Sequence, residues 1–444
     1  MQLAHTPLIW LFQAYWRDEA FSVILTKRPI LELLSITAKD FSPPLYYLIL
    51  KYWMMVFGNS EVATRLLSFT FFVLLIIAVI AFCYKHLKLR VWQIFFVAIT
   101  TSLSPILSYY AFETRMYSLI ALLSTLSWLA LLMNRRKQYV VFSILALYTQ
   151  YFQIFVIASQ ILYLIVLQCK NHTNRVTLIN TLKTHLINFL IIGICFFPWI
   201  LYVAISHDKN SVTSFWILPP TIQDVLHMPS ILLTGYEHDF PFKFNLSTIN
   251  ALVYIFFVVS IVPLTKTFSK KFNTEKLAYL FWFFIPGIMV SVLSLFGPSL
   301  FLPRYLIVSV PAFYISFAAT IRDEKIKKLV VLLVVFLITL KLYDYQQIEI
   351  KKRTKEDVRP IFASINRQTS ENDSLYLESE LDFHLAQYYF KNTENVYVIG
   401  KPYSQLPSYV GKSLIPENKV QIAFPPNAKG IFLYSDRSMK VISE

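Results

Sequence analysis

Four groups of ionisable side chains interrupt an otherwise apolar chain of 444 residues. Residues 14–22 read AYWRDEAFS, which sets Asp18 and Glu19 side by side among aromatic residues. Asp40 stands in KDFSPPLYY. Glu113, Arg115 and Tyr117 stand in YYAFETRMYS (109–118), and Arg304 and Tyr305 in LFLPRYL (300–306). A carboxylate can take the proton of an attacking hydroxyl or amine. An arginine stays charged and grips a phosphate through two parallel hydrogen bonds. Acids facing a fixed arginine therefore suit group transfer on a phosphate-bearing substrate. Each group also has a plainer reading. Asp18 and Glu19 can be solvated acids or a helix-start pair, and Asp40 can cap a helix. Glu113 and Arg115 can pair to fix a helix end, and Arg304 can reach lipid headgroups. Glu237, His238 and Asp239 in GYEHDF resemble a metal cluster but read more simply as a polar loop.

The elements that must bring these groups together are membrane helices. The composition is 56% hydrophobic and 16% aromatic, with a mean hydropathy of +0.52, above the apolar share of a soluble domain. Apolar runs of spanning length, about 20 residues, recur along the chain. Ten spans are predicted, over roughly 65–84, 91–108, 116–133, 138–150, 152–168, 186–205, 248–265, 277–296, 305–321 and 329–345. The fourth and fifth flank YTQYFQ (148–153), which reads either as a tight polar turn or as the middle of one bent helix. Three cysteines, Cys83, Cys169 and Cys195, lie in or beside apolar runs without metal spacing or a disulfide framework. Eight glycines leave no glycine-rich phosphate loop.

Charge orients the spans. One set of loops carries Lys85, Lys88, Arg90, Arg135, Arg136, Lys137, Lys170, Arg175, Lys183, Lys266, Lys270, Lys271, Lys276, Arg322, Lys325, Lys327 and Lys328. The alternate loops carry only Arg115, Lys209, Lys243 and Arg304. The positive-inside rule places the first set in the cytoplasm. The net charge of +15 is then largely an orientation signal, which argues against a nucleic-acid partner. All four ionisable groups fall on the outer side, as do loop 206–247 and everything after Tyr345. Residues 42–58, apolar for about 14 residues and rich in Tyr and Trp, suit an interfacial helix better than a span, with Pro43 and Pro44 at its start. Residues 1–345 are thus expected to form a transmembrane domain, with an outer loop at 16–60. Residues 346–444 are expected to form a small extracytoplasmic α/β domain. SLYLE, NVYVIG and GIFLYS read as its strands, and 358–367 and 381–390 as helices.

The stretches WRDEAFS, DFSPPLYYLILKYWMMVFGNSEVATRLLS, SPILSYYAFETRMYSL and LPRYLIVSVP, in this order, resemble the GT-C membrane glycosyltransferases. The similarity is greatest to bacterial relatives of protein O-mannosyltransferases (glycosyltransferase family 39-like) and of the aminoarabinose transferase acting on lipid A. It covers residues 10–320. It implies inverting transfer of a hexosyl or pentosyl unit from a polyprenyl-phosphate donor to a lipid, glycan or protein acceptor, on the outer side of the plasma membrane. By that analogy Asp18 is the base, with Glu19 beside it. Asp40, Glu113, Arg115 and Tyr117 complete the pocket, and Arg304, next to Tyr305, holds the donor phosphate. The leaving phosphate needs charge stabilisation rather than protonation. No cofactor is implied with certainty, although the adjacent acids are a candidate for a divalent cation. Two departures stand out. Relatives usually carry a full span before the acidic pair, where TPLIWLFQAYW (6–16) is too short to cross: either the start of the chain is misassigned, the chain is truncated, or this segment is only interfacial. They also often carry a histidine where this chain has Gln150.

The competing reading is a transporter or flippase of lipid-linked saccharides. It calls for charges within the spans and for two related halves with broken helices. Few span charges are present, Lys341 being one, and no internal repeat is evident. A non-catalytic scaffold, in which the outer acids are structural, is the third reading.

Overall fold

The computed structural model describes residues 6–170, 175–206, 217–261, 274–322 and 325–442. Lys209, Trp216, Lys266, Lys270 and Lys271 lie outside the described residues. The chain is a bundle of apolar helices followed by a five-stranded α/β unit. Among the described residues, five helices are long and apolar enough to cross a membrane: Glu61–Lys85, His185–Ser206, Glu275–Phe296, Pro303–Ile321 and Lys328–Lys352. A sixth candidate is the pair Val91–Ser102 and Pro105–Ala111, bent by 67°. Length therefore supports fewer spans than the ten expected. The apolar helices Tyr117–Leu132, Gln153–Gln168 and Ser247–Ser260 are shorter, and a helix rises only about 1.5 Å per residue against a hydrocarbon core of about 30 Å. YTQYFQ is a turn between the helices Arg136–Leu147 and Gln153–Lys170.

Four elements in the N-terminal part frame the ionisable groups. Helix α1 (Arg17–Lys27) starts where the Glu19 carboxylate accepts the Trp16 N–H at 3.0 Å, which satisfies one of the unpaired donors of a helix start. Helix α2 (Ile30–Lys39) leaves Leu31 exposed, and helix α3 (Leu45–Phe57) leaves Tyr52, Met55, Val56 and Phe57 exposed. Such apolar faces suit the interfacial layer expected of this region. Helix α4 (Glu61–Lys85) is N-capped by Ser60, whose hydroxyl accepts from the Ala63 N–H. TPLIWLFQAYW folds as a 3-10 helix over Pro7–Phe12 with Trp10 buried, its ring edge-on to Tyr109 at 4.9 Å.

The α/β unit has strands β1 (Ser374–Leu377), β2 (Val396–Ile399), β3 (Val420–Gln421), β4 (Gly430–Leu433) and β5 (Met439–Ile442), in the order β3-β2-β1-β4-β5. All pairings are parallel except β4 with β5. Helices Arg359–Gln368 and Phe383–Tyr389 pack beside the sheet. The hydrophobic core of this unit does not stop at its own chain segment. Ala14, Tyr15, Ala20 and Val23 are buried in one cluster with Val358, Phe362, Phe383, Leu385 and strand residues Leu375 and Val398. One face of α1 is therefore core of the α/β unit, while Phe21, Ile24 and Leu25 belong to the core of the helical bundle.

Candidate active site

Adjacent residues on a helix point about 100° apart, and this separates the acidic pair. Glu19 turns inward and is 0% exposed. Its Oε1 accepts from Arg65 Nε at 2.8 Å and from the Thr114 N–H at 2.9 Å. Its Oε2 accepts from the Trp16 N–H, from Arg65 Nη2 at 2.8 Å and from Lys355 Nζ at 2.7 Å. Burial alone would raise this carboxyl, but Arg65 and Lys355 outweigh it and hold the pKa well below the usual range. Arg65, also 0% exposed, spends its remaining donors on the carbonyls of Leu11, Gln13 and Ala14. Glu19 thus closes the N-terminal segment onto α4 and has no oxygen left for a substrate.

Asp18 is only half-buried. Burial pushes its carboxyl up, yet Arg115, Arg304 and Arg17 together outweigh burial and hold it ionised. Arg115, half-buried, places Nη1 3.5 Å from the Asp18 carbonyl oxygen. Asp40 does not cap the interfacial helix. It ends α2, its N–H bonding the Ile36 carbonyl, and its Oδ2 accepts from the Ser42 hydroxyl at 3.1 Å. Burial drives the Asp40 pKa up to about 7, against the pull of Arg115 and Ser42, and the nearby Asp18 charge adds to the rise. Two half-open carboxylates thus share Arg115 and differ sharply in proton affinity. Glu113 is buried, and burial raises its pKa against Lys355, the strongest of the charges opposing the rise. Tyr117 is buried against Tyr110, ring centroids 4.6 Å apart. Arg304 and Tyr305 are half-buried at the start of a 3-10 helix over Pro303–Ser309. The charge of Arg304 lies within electrostatic reach of Glu237, Tyr117, Tyr110 and Tyr305. Tyr305 stacks near Phe152 at 4.7 Å, and Phe41 near Tyr151 at 5.1 Å, so the YTQYFQ turn walls the same site, with Gln150 buried in it.

Beside Arg304 a cavity of about 440 Å³ opens, lined among others by Tyr236, Glu237, Phe240, Lys243, Leu302 and Pro303. Arg353 lies between the rings of Tyr109 and Phe240, 3.6 and 4.2 Å from their centroids, and pairs with the buried Glu349 at 2.8 Å. One oxygen each of Glu237 and Glu349, and the hydroxyls of Tyr110 and Tyr345, are buried without a hydrogen-bond partner among the described residues. His238 pairs with Asp224 at 2.6 Å, and among the described residues no three His, Cys, Asp or Glu side chains form a metal-ligand group. At the acidic pair, where a divalent cation was a candidate, both Glu19 oxygens accept from protein donors and Asp18 is the more open carboxylate.

Sequence reasoning missed Arg65, Lys355, Glu349 and Arg353. Arg65 carried a signal, a lone arginine in the first turns of an apolar span, and Glu349 and Arg353 carried the four-residue spacing of a helical ion pair. Lys355 carried none.

No protein-family model and no curated protein sequence matches the chain. Two crystal structures of ArnT from Cupriavidus metallidurans do match in three dimensions. The apo form matches at 12% identity and TM-score 0.60, over 97% of this chain and 90% of that one. The form bound to undecaprenyl phosphate matches at 12% identity and TM-score 0.61, over 97% and 91%. At that identity what is shared is architecture, and it extends over bundle and α/β unit alike: the chain has the GT-C fold of ArnT.

Proposed function

We propose that the protein is a glycosyltransferase that moves a sugar from a polyprenyl-phosphate donor to a hydroxyl or amine acceptor, on the extracytoplasmic side of the membrane. The observation that carries this reading is that Arg115, with Nη1 3.5 Å from the Asp18 carbonyl oxygen, acts electrostatically on the half-open carboxylates of both Asp18 and Asp40, and Arg304 acts on the same Asp18. The ArnT form bound to undecaprenyl phosphate supports a polyprenyl phosphate as the lipid. Arg304 and Arg115 hold the donor phosphate, and the cavity beside Arg304 takes its sugar. The acceptor oxygen or nitrogen bonds to the anomeric carbon as the bond from that carbon to the phosphate oxygen breaks. The acceptor proton goes to Asp18, and the bonding electrons leave on the polyprenyl phosphate, whose added charge the arginines neutralise. Attack opposite the leaving phosphate inverts the anomeric carbon. Asp18, whose carboxyl the arginines hold ionised, passes the proton to Asp40, which binds protons near neutrality.

The test is incubation of the reconstituted protein with a panel of labelled polyprenyl-phosphate hexoses and pentoses and cell-envelope acceptors. Label in the acceptor that disappears in Asp18→Asn supports the reading. Label moved across the bilayer on its original lipid, with no product, overturns it in favour of a flippase.

A further inference from the structure

Lys355 joins two parts of the molecule that the chain keeps 336 residues apart. It lies just past the last apolar span, on the segment that leads into the α/β unit. Its Nζ donates to Glu19 Oε2 at 2.7 Å, and its side chain is 7% exposed. Glu19 is one residue from Asp18 and in the first turn of α1. The contact is one of several that tie the N-terminal part of the chain, around α1, to the α/β unit and the segment leading into it. Tyr389 accepts from the Tyr15 N–H at 2.9 Å, Tyr388 donates to the Asn59 carbonyl at 3.0 Å, and Arg359 donates to the Phe12 carbonyl at 3.1 Å. Ala20 and Val23 of α1 lie in the α/β core. Of these ties, the lysine is the one that bonds a side chain adjacent to Asp18, and it also faces the buried Glu113.

Resting on the transferase reading above, we infer that Lys355 is a positioning residue for the reaction. Through Glu19 it fixes the first turn of α1, and with it Asp18, so the α/β unit is a working part of the active site. The physical reason is geometric. Arg65 and the Thr114 N–H hold Glu19 from the bundle side. Lys355 holds it from the α/β side, so the carboxylate is clamped between two cations on independent elements. Freed of one, the first turn of α1 can shift, and misplacement of a reacting group by about 1 Å costs on the order of 10²-fold in rate.

The experiment compares full-length Lys355→Met and Lys355→Arg in reconstituted membranes, alone and in an Asp18→Asn background. Lys355→Met is expected to lower kcat by about 10²-fold with KM for the lipid-linked donor nearly unchanged, and Lys355→Arg to recover most of the loss. In the Asp18→Asn background, Lys355→Met is expected to cost almost nothing more, because it acts through Asp18. Wild-type kcat in Lys355→Met, or an equal loss in both backgrounds, overturns the inference. Amide exchange of residues 17–27 gives a readout that needs no turnover. Faster exchange there in Lys355→Met, with the strands of the α/β unit still protected, supports the clamp; unchanged exchange overturns it. If wild-type protein transfers no sugar, the transferase reading fails while the exchange result still judges the clamp. If Lys355→Met does not assemble, Lys355→Gln is measured in the same way.

Discussion

Asp18 and Glu19 are consecutive in the chain and face opposite surroundings: Glu19 is sealed between Arg65 and Lys355, while Asp18 stays half-open beside Arg115. A carboxylate with five donors on its two oxygens is a structural pin. Its neighbour, held ionised and accessible, is the one that can meet a substrate. The structure therefore divides between two residues what the acidic pair seemed to offer jointly.

Glu19→Gln is expected to destabilise the protein by about 3–5 kcal/mol at neutral pH, because it leaves two buried cations against a neutral amide. The pH dependence has a definite sign. The Glu19 pKa is lower in the folded state than in the unfolded state. Its contribution is thus fully present above the unfolded value of about 4.3 and is lost as pH falls towards the folded value. The gap in thermal midpoint between wild type and variant, measured in detergent from pH 7 to pH 3, should narrow below about pH 4. A gap that is constant with pH would contradict the buried pair.

Asp18→Asn is expected to reduce kcat by about 10²–10⁴-fold, the usual contribution of a general base, with donor binding retained. Asp40→Asn should cost less and change the shape of the pH profile instead. With Asp40 titrating at about 7, wild-type kcat/KM should fall on the acid side of neutrality as Asp40 becomes protonated and can no longer receive the relayed proton. The variant should lose that limb. An acid limb that survives in Asp40→Asn would remove Asp40 from the relay.

Much of this was legible in the chain. The four ionisable stretches do converge around Asp18, because each interrupts an apolar run and a charge at membrane depth needs a protein neighbour. Strands β1, β2 and β4 were visible as short runs of Val, Ile, Leu, Phe and Tyr between turn residues. Strand β3, two residues long, and β5, whose residues are mostly exposed, lack that signature. Helix length among the described residues supports five or six of the ten expected spans, for a physical reason. An apolar run counts as a span by composition alone, whereas the helix Tyr117–Leu132 is shortened at its start by the turn that carries Glu113 and Arg115. The Glu19 clamp was invisible because its partners lie 46 and 336 residues away, and nothing local in Lys355 marks it for burial.

Arg304→Lys is expected to keep the charge and lose the two-pronged grip on phosphate. Donor KM should rise by about 10-fold, and by more in Arg304→Gln, since hydrogen bonds to charged groups contribute about 1.5–3 kcal/mol. Initial rates over a range of donor concentrations, with free polyprenyl phosphate as competitor, measure both effects. A competitor that inhibits wild type and Arg304→Gln equally would place the phosphate elsewhere.

Gly411 tests the seam between α1 and the α/β unit from its far side. Its φ of +73° is in the left-handed region, which favours glycine. A Cβ placed there would lie 2.6 Å from the Phe21 ring on α1 and 2.7 Å from His384 Nε2. His384 is itself fixed, its Nε2 3.0 Å from the Val410 carbonyl oxygen, and burial lowers its pKa to about 4, so at neutral pH it donates that bond as a neutral ring. The Phe21 ring is the wall that can yield. Gly411→Ala should therefore combine a backbone penalty of about 1 kcal/mol or more with displacement of the side of α1 that carries Phe21. If the α/β unit merely decorates the bundle, the variant should lose stability and keep kcat. If α1 is held in register by both units, kcat should fall together with the thermal midpoint, while Arg304-dependent binding of polyprenyl phosphate stays intact. Measuring the three quantities on one preparation separates these outcomes, because a general loss of folded protein lowers binding and turnover in proportion, whereas a shifted α1 lowers turnover alone.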